Sequence, residues 1–418
     1  MRLHLNEREA FVPGTRAGWS AELNRAFPGE QTGKRRFWNR IQGLSDTMHH
    51  VARRFPVMPF KSLNDVLDTA RGAHIGALNV LANLNRTVGQ LLEECDVHDP
   101  AHRAFIDGQL LDSMQVVSSG CALPSGAYAL EVYRYGAQYV PGGLATLAED
   151  LVDAIRANGS EVHYATRARR IIVDGGTVRG VETHARHFIS PVVISTAPVP
   201  DTVALTQDSR LDRLQRQFDA MPEVWGAFTL YIGVRSSALP ADALLFEQVT
   251  DFDDHGITEN FLVSSSPEGD LTRAPLGYRS ITVSTHVRAG DWFGLSEADY
   301  QNKKQAFESR ILSRLERLFP GFTDGIVLLE SGTPRTFQRF TLHSLGRVGG
   351  VPQTVSGAAF NAIHHITPIP GLLLAGETVF PGQGTLGVAV SGYNSYRTAK
   401  RFFNGKPRSI EVSQALNA

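Results

Sequence analysis

The chain has 418 residues, 42% hydrophobic and 20% charged, which is an ordinary globular composition long enough for about two domains with sizeable cores. Its 41 Lys and Arg nearly balance 42 Asp and Glu, so no global field recruits nucleic acid or an acidic partner. Two cysteines without a CxxC pair, the lack of a basic-then-apolar leader and the lack of any run near ~18 apolar residues point to a cytoplasmic chain with reduced thiols, with peripheral membrane contact left open.

Residues 1–138 are helical in pattern. "LNDVLDTARGAHIGALNVLANLNRTVGQLLEECDV" and "PAHRAFIDGQLLDSMQVVSS" repeat apolar residues at three- and four-residue intervals, and Pro124 to Gly126 break the pattern. The histidine pairs His49-His50 and His364-His365 come with no HExxH or Cys/His spacing, so they read as surface pairs and no metal is expected.

Residues 139–200 change character. A Gly142-Gly143 turn leads into an amphipathic helix (Leu144, Leu147, Leu151, Ile155) that stops at Asn158-Gly159. A strand is expected at Glu161 to Tyr164, then a hairpin around Asp174-Gly175-Gly176, then a short strand "PVVISTA" suited to a sheet covered on both faces. Residues 201–349 carry longer alternating strands, "WGAFTLYIGV", "RSITVSTHV" and "GIVLLESGT", with one helix, "YQNKKQAFESRILSRLERLF". This predicts a mainly antiparallel sheet with helices on one side.

Residues 350–405 return to strand, turn and helix in "LLLAGETVFPGQGTLGVAVSG", where Gly382, Gly384 and Gly387 match GxGxxG. A dinucleotide fingerprint opens a βαβ unit of about 30 residues with a second strand ending in an acid. Only the polar tail, residues 406–418, remains after the helix at 388–402, so the match is not a first βαβ unit. It is a glycine-lined turn that aims helix amides at a polar or anionic group.

Five landmarks in order carry a resemblance: "YVPGGLATLAEDLVDAIRANGSEV", "PVVISTAPVPDTV", "GAFTLYIGV", "GTPRTFQRF" and "IPGLLLAGETVFPGQGTLGVAVSGYNSYRTA". The chain resembles the flavin-dependent phytoene desaturases and carotenoid isomerases, within the amine-oxidase-like flavoproteins. The resemblance implies an α/β plus α+β fold and FAD. Residues 139–200 and 350–405 would form an FAD-binding Rossmann-like domain, and residues 1–138 and 201–349 the helical and sheet parts of a discontinuous substrate domain.

One part of the family pattern is not found in these residues: the opening strand, GxGxxG turn, helix and Glu-ended strand that hold the FAD pyrophosphate and ribose. Three readings compete: a separate small polypeptide carries that segment in a heterodimer, this chain is part of a longer frame, or flavin binding has been lost. Leaving "PVVISTA" without neighbours would expose an apolar edge, which favours the first two.

By resemblance, Glu377 takes a ribityl hydroxyl, Gly376, Gly384, Thr385 and Gly387 allow close backbone approach, and Val388, taken as first in the helix, offers its N–H to the flavin pyrimidine. Ala168 stands where the family contacts adenine through the backbone. Arg335, Arg339, His286 and Tyr393 are the polar candidates nearest, in pattern, to the domain junction. The function implied is an FAD-dependent oxidoreductase acting on a lipophilic conjugated substrate such as a carotenoid. A flavin oxidase or dehydrogenase of another secondary-metabolite pathway, and a flavin-free scaffold, are the alternatives.

Overall fold

The computed structural model describes residues 1–61, 63–70, 76–136, 138–221, 225–403 and 411–414. The chain opens with two short strands, β1 (Arg2–Leu5) and β2 (Arg8–Phe11). After a helical stretch come β3 (Ala168–Asp174), β4 (Thr177–Thr183), β5 (Arg186–Ile189) and β6 (Val193–Ser195). The long strands are β7 (Trp225–Arg235), β8 (Phe246–Asp253), β9 (Gly256–Ser265) and β10 (Tyr278–Arg288). Last come β11 (Ile326–Gly332), β12 (Leu372–Leu374) and β13 (Glu411–Gln414).

Seven strands form the main sheet, in the order β11-β7-β10-β9-β8-β1-β2. Alternation along β7 buries Phe228, Leu230, Ile232 and Val234 on one face, against Ile311 and Leu315 of the helix Glu297–Leu318. Each such side chain contributes about 1.5–3 kcal/mol when fully buried. The purely helical reading of residues 1–138 is corrected here, because β1 pairs in parallel with β8 and brings His4 onto Glu247 at 2.7 Å. A four-residue strand is too short to show a period. Pro124 is a second correction: it sits in the first turn of the helix Leu123–Leu130, where its missing N–H would have been unpaired anyway.

Two smaller sheets lie in the other half. The expected hairpin forms from β3 and β4, and β5 and β13 extend it. β6 and β12 pair in parallel. The strand expected at Glu161 to Tyr164 does not form; no strand pairs with it among the described residues, and Tyr164 is two-thirds exposed. An extended segment without a neighbour has only water for its amides. The helix Ala145–Ala157 forms as expected, yet its apolar stripe is uncovered: Leu144 is 71% and Leu151 67% exposed. Among the described residues no helix is long and apolar enough to cross a membrane.

Histidines are built into the core. His102 accepts a hydrogen bond from Trp38 Nε1 at 3.0 Å, and the pair His364-His365, expected on the surface, is instead buried. Removal from water pushes His102 and His365 down to about 3, against about 6.5 in an unfolded chain. The unfolded state therefore binds more protons between those values. Their stabilising contribution is complete above pH ~6.5 and is lost as pH falls, by up to about 1.4 kcal/mol per unit for each histidine. The urea midpoint is expected to drop between pH 7 and pH 5. A flat or rising midpoint would count against neutral buried histidines.

Candidate functional site

β12 is buried along its whole length and ends in Ala375, whose N–H donates to Ser195 O of β6 at 2.8 Å. Gly376 follows with φ +108, donates its N–H to Ser391 Oγ at 3.0 Å, and would carry a Cβ only 3.3 Å from Thr196 O. It therefore stands at the carboxyl ends of β6 and β12, where parallel α/β sheets place their ligands. The next side chain, Glu377, is half-buried, with Oε1 4.0 Å from His343 Nδ1.

The helix Gly384–Phe403 begins four residues earlier than the start assigned at Val388. The amides without an intrahelical partner are those of its first turn, residues 384–387, whereas the Val388 N–H is turned back toward the Gly384 carbonyl. The reading of Val388 as first in the helix is corrected: it stands at the fifth helical position, and the open first turn is formed by residues 384–387. Gly384 has φ +82 with open space where a Cβ would stand, and Thr385, Leu386 and Val388 are exposed around it. At Gly387 the backbone leaves no room for a side chain. A Cβ there would lie 2.5 Å from Gly382 O, so the turn itself excludes a side chain.

On the other side of this turn, Gln383 reaches the end of the Pro100–Met114 helix and the loop at Gly350. Its side-chain amide donates to Ser113 O, and its Oε1 accepts from the Gly350 N–H at 3.1 Å. Gly349, at φ +81, lies between the amides of Gln383 and Gln115. Gln115 meets His286 Nε2 at 3.0 Å, and Trp225 Nε1 donates to Gln115 O at 2.9 Å. His286 Nδ1 is 3.4 Å from Asp112 Oδ1, close enough to attract but without hydrogen-bond alignment. His286 is thus bonded to Gln115, whose side chain lies beside Gly349 as that of Gln383 does. Gln115, Asp112 and Gln383 carried no signal beyond their neighbours, because each acquires its part from residues far along the chain.

The other polar candidates lie in structural contacts. Arg335 donates to Trp292 O and Leu295 O at 2.8 and 3.1 Å and lies over the Tyr300 ring, which pins its helix to the neighbouring loop. Arg339 is exposed, with its guanidinium over Phe340. Tyr393, on the outer part of the C-terminal helix, packs on Phe55 at 4.5 Å. Ala168 opens β3 opposite Thr183, in the hairpin sheet rather than beside β6 and β12. Gly142 and Gly143 take φ +82 and +90 in the turn before the Ala145–Ala157 helix.

The turn fits the ring end of a flavin. Gly384 offers an open approach, a free first turn presents positive partial charge, and a carboxylate stands alongside. Prolycopene isomerase, chloroplastic, of Arabidopsis thaliana is 28% identical over 384 residues, covering 89% of this chain and 63% of that protein. The 4,4'-diaponeurosporene oxygenase of Staphylococcus aureus (strain bovine RF122 / ET3-1) is 26% identical over 280 residues, covering 62% of this chain and 54% of that one. The chain therefore spans less than two thirds of the length of these curated relatives. Among solved structures, cyclohexylamine oxidase from Brevibacterium oxydans IH-35A superposes with a TM-score of 0.56 at 14% identity, covering 96% of this chain and 80% of that one, a likeness of fold. Residues 15–395 match the family model described as flavin containing amine oxidoreductase. With that match over most of its length, the chain belongs to the flavin-containing amine oxidoreductase family, and FAD is its cofactor.

Proposed function

We propose that this chain supplies the substrate sheet and the flavin-ring turn of an FAD-dependent oxidoreductase of desaturase or isomerase type, acting on a lipophilic conjugated substrate such as a carotenoid. The GxGxxG segment for the FAD pyrophosphate comes, in this reading, from a separate small polypeptide. The observation that carries the arrangement is the bare parallel pair β6–β12. Ile194 of β6 is 40% exposed, and β6 has no strand on its other edge among the described residues. Parallel strands occur almost only in sheets covered on both faces, and a lone pair is marginal in water. The uncovered Leu144 and Leu151 of the Ala145–Ala157 helix need a cover of the same kind.

Bound FAD supplies hydride exchange with the conjugated system. The chain's own residues hold and orient. Gly376 and Gly384 admit the cofactor without a Cβ in its way, Glu377 accepts from a hydroxyl, and the amides of residues 384–387 offer positive partial charge. With the Gln115 amide donating to His286 Nε2, the ring proton rests on Nδ1, facing Asp112. The names of the isomerase and oxygenase relatives support the polyene class of substrate.

Co-expression with a short neighbouring reading frame encoding strand, GxGxxG and Glu tests the arrangement. A yellow one-to-one complex is expected, with an interface above the ~1,600 Å² of a standard one, while this chain alone is colourless and poorly soluble. Stoichiometric FAD on the isolated chain would sink the two-chain arrangement, and a colourless complex would sink the flavin assignment.

A further inference from the structure

A groove of about 720 Å³ lies between the helix Asp212–Asp219, residues 59–61 and residues 356–368. It stands on the edge of β12 opposite β6, where His365 O accepts from the Leu374 N–H at 2.8 Å. Three cationic side chains line it, Lys61, Arg213 and Arg216, and none of the lining residues is acidic. Among the described residues none of the three forms an ion pair with a carboxylate. Burial, and then the nearby Arg213 guanidinium, push the Lys61 ammonium below its ordinary pKa, against the pull of Asp65. Like charges gathered without a counter-charge are a standing cost that a bound anion relieves.

A buried donor stands among the cations. His364 also lines the groove and is 3% exposed, and its Nδ1 accepts from the Ile366 N–H at 2.9 Å. Burial and the Lys61 charge lower its pKa, so the ring is neutral at pH 7 and its proton rests on Nε2. That atom has no hydrogen-bond partner among the described residues. The Asp65 carboxylate is 3.6 Å away, and the same oxygen accepts from the Lys61 N–H at 2.9 Å. The Lys61 ammonium gives one hydrogen to Ile366 O at 3.0 Å, which holds it to the wall with two more to donate.

One arginine matches a carboxylate. Three cations and a neutral imidazole N–H match a group with more charge and more acceptor oxygens, and a phosphate has both. The wall beside them is apolar, with Leu214, Met221, Ile366 and Phe360, whose ring packs edge-on against Phe60 at 5.8 Å. Inorganic phosphate would leave that wall in water. We propose that the groove binds a phosphate ester carrying an apolar group, with the phosphate on Lys61, Arg213, Arg216 and His364 and the apolar group along Leu214 and Phe360. A soluble ester and the headgroup of an anionic phospholipid share this chemistry.

Titration calorimetry of the FAD-loaded protein at low ionic strength, with octyl phosphate, octanol and inorganic phosphate, tests the site. Octyl phosphate is expected to bind tightest, with FAD retained. Arg213→Gln, at an exposed position, should weaken it at least about tenfold, the scale of a hydrogen bond to a charged group. Arg40→Gln, exposed and outside the groove, removes the same charge and should leave binding unchanged. Phe360→Ala should weaken octyl phosphate and leave inorganic phosphate as it is. Sedimentation with vesicles of phosphatidylglycerol and phosphatidylcholine separates the sources. Vesicle binding that depends on Arg213 assigns the headgroup, and its absence while octyl phosphate binds assigns a soluble ester. No binding of octyl phosphate, equal binding of octanol, or binding that survives Arg213→Gln would overturn the proposal. Release of FAD by octyl phosphate would overturn it too, by making the groove part of the cofactor site, since Met221 and Ala362 also border the space beside Glu377.

Discussion

Gly387→Val is expected to strip FAD from the enzyme, leaving a purified protein without flavin absorbance. The side chain has no place to go: its first carbon would stand 2.5 Å from Gly382 O, well inside contact distance, and the obstacle is backbone. Relief requires the Gly382–Gly384 turn to move away from the helix. That turn also positions Gln383, whose amide ties it to Ser113 and Gly350, so the displacement reaches the end of the Pro100–Met114 helix as well. A loss of about 3 kcal/mol, roughly a hundredfold in FAD retention, is a conservative figure for an overpacked backbone contact at a binding turn. The hydrogen bonds of Gln383 run to Ser113 and Gly350, outside the long strands and the Glu297–Leu318 helix, so far-ultraviolet circular dichroism should stay near that of the unsubstituted protein. Glu377→Gln should weaken retention far less, since an amide oxygen still accepts from a hydroxyl. Normal FAD content in Gly387→Val would remove the turn from the flavin site.

Leu151→Glu is expected to abolish assembly with the nucleotide-carrying polypeptide while leaving this chain's own fold intact. Leu151 is 67% exposed, on a helix with no buried residue, so its replacement costs the isolated chain little. In the assembled enzyme it would be covered, and a carboxylate there must either lose its water or keep the joint apart. Losing the burial of a leucine and adding that penalty exceeds about 3 kcal/mol, a hundredfold or more in affinity. Asp150→Asn, exposed on the polar side of the same helix, is the control and should assemble normally. Size-exclusion chromatography with flavin detection reads both. Co-elution of Leu151→Glu with its partner at low micromolar concentration would place the joint elsewhere.

Much of the architecture was legible because it is periodic over enough residues. β7 and β10 are eleven residues each and alternate cleanly, and the Asp174-Gly175-Gly176 turn marks its hairpin. β8 and β9 were not legible. Their alternation is masked by buried polar residues, since Glu247, Gln248, Thr250 and Asn260 are all at most 5% exposed. Such residues look like surface in a sequence and are tolerated inside only because Asp112, His4 and one another satisfy them.

Within the candidate site, the sequence by itself determined the glycine turn, its neighbouring carboxylate and the helix after it. All are set by residues within a few positions of one another, so φ preferences and apolar spacing suffice to define them. Tertiary structure decided the rest. That β1 pairs with β8 in the main sheet and that His286 meets Gln115 depends on partners 245 and 171 residues apart. No local preference encodes such pairings, because they exist only once two distant elements have been packed together and their polar groups must find one another out of water.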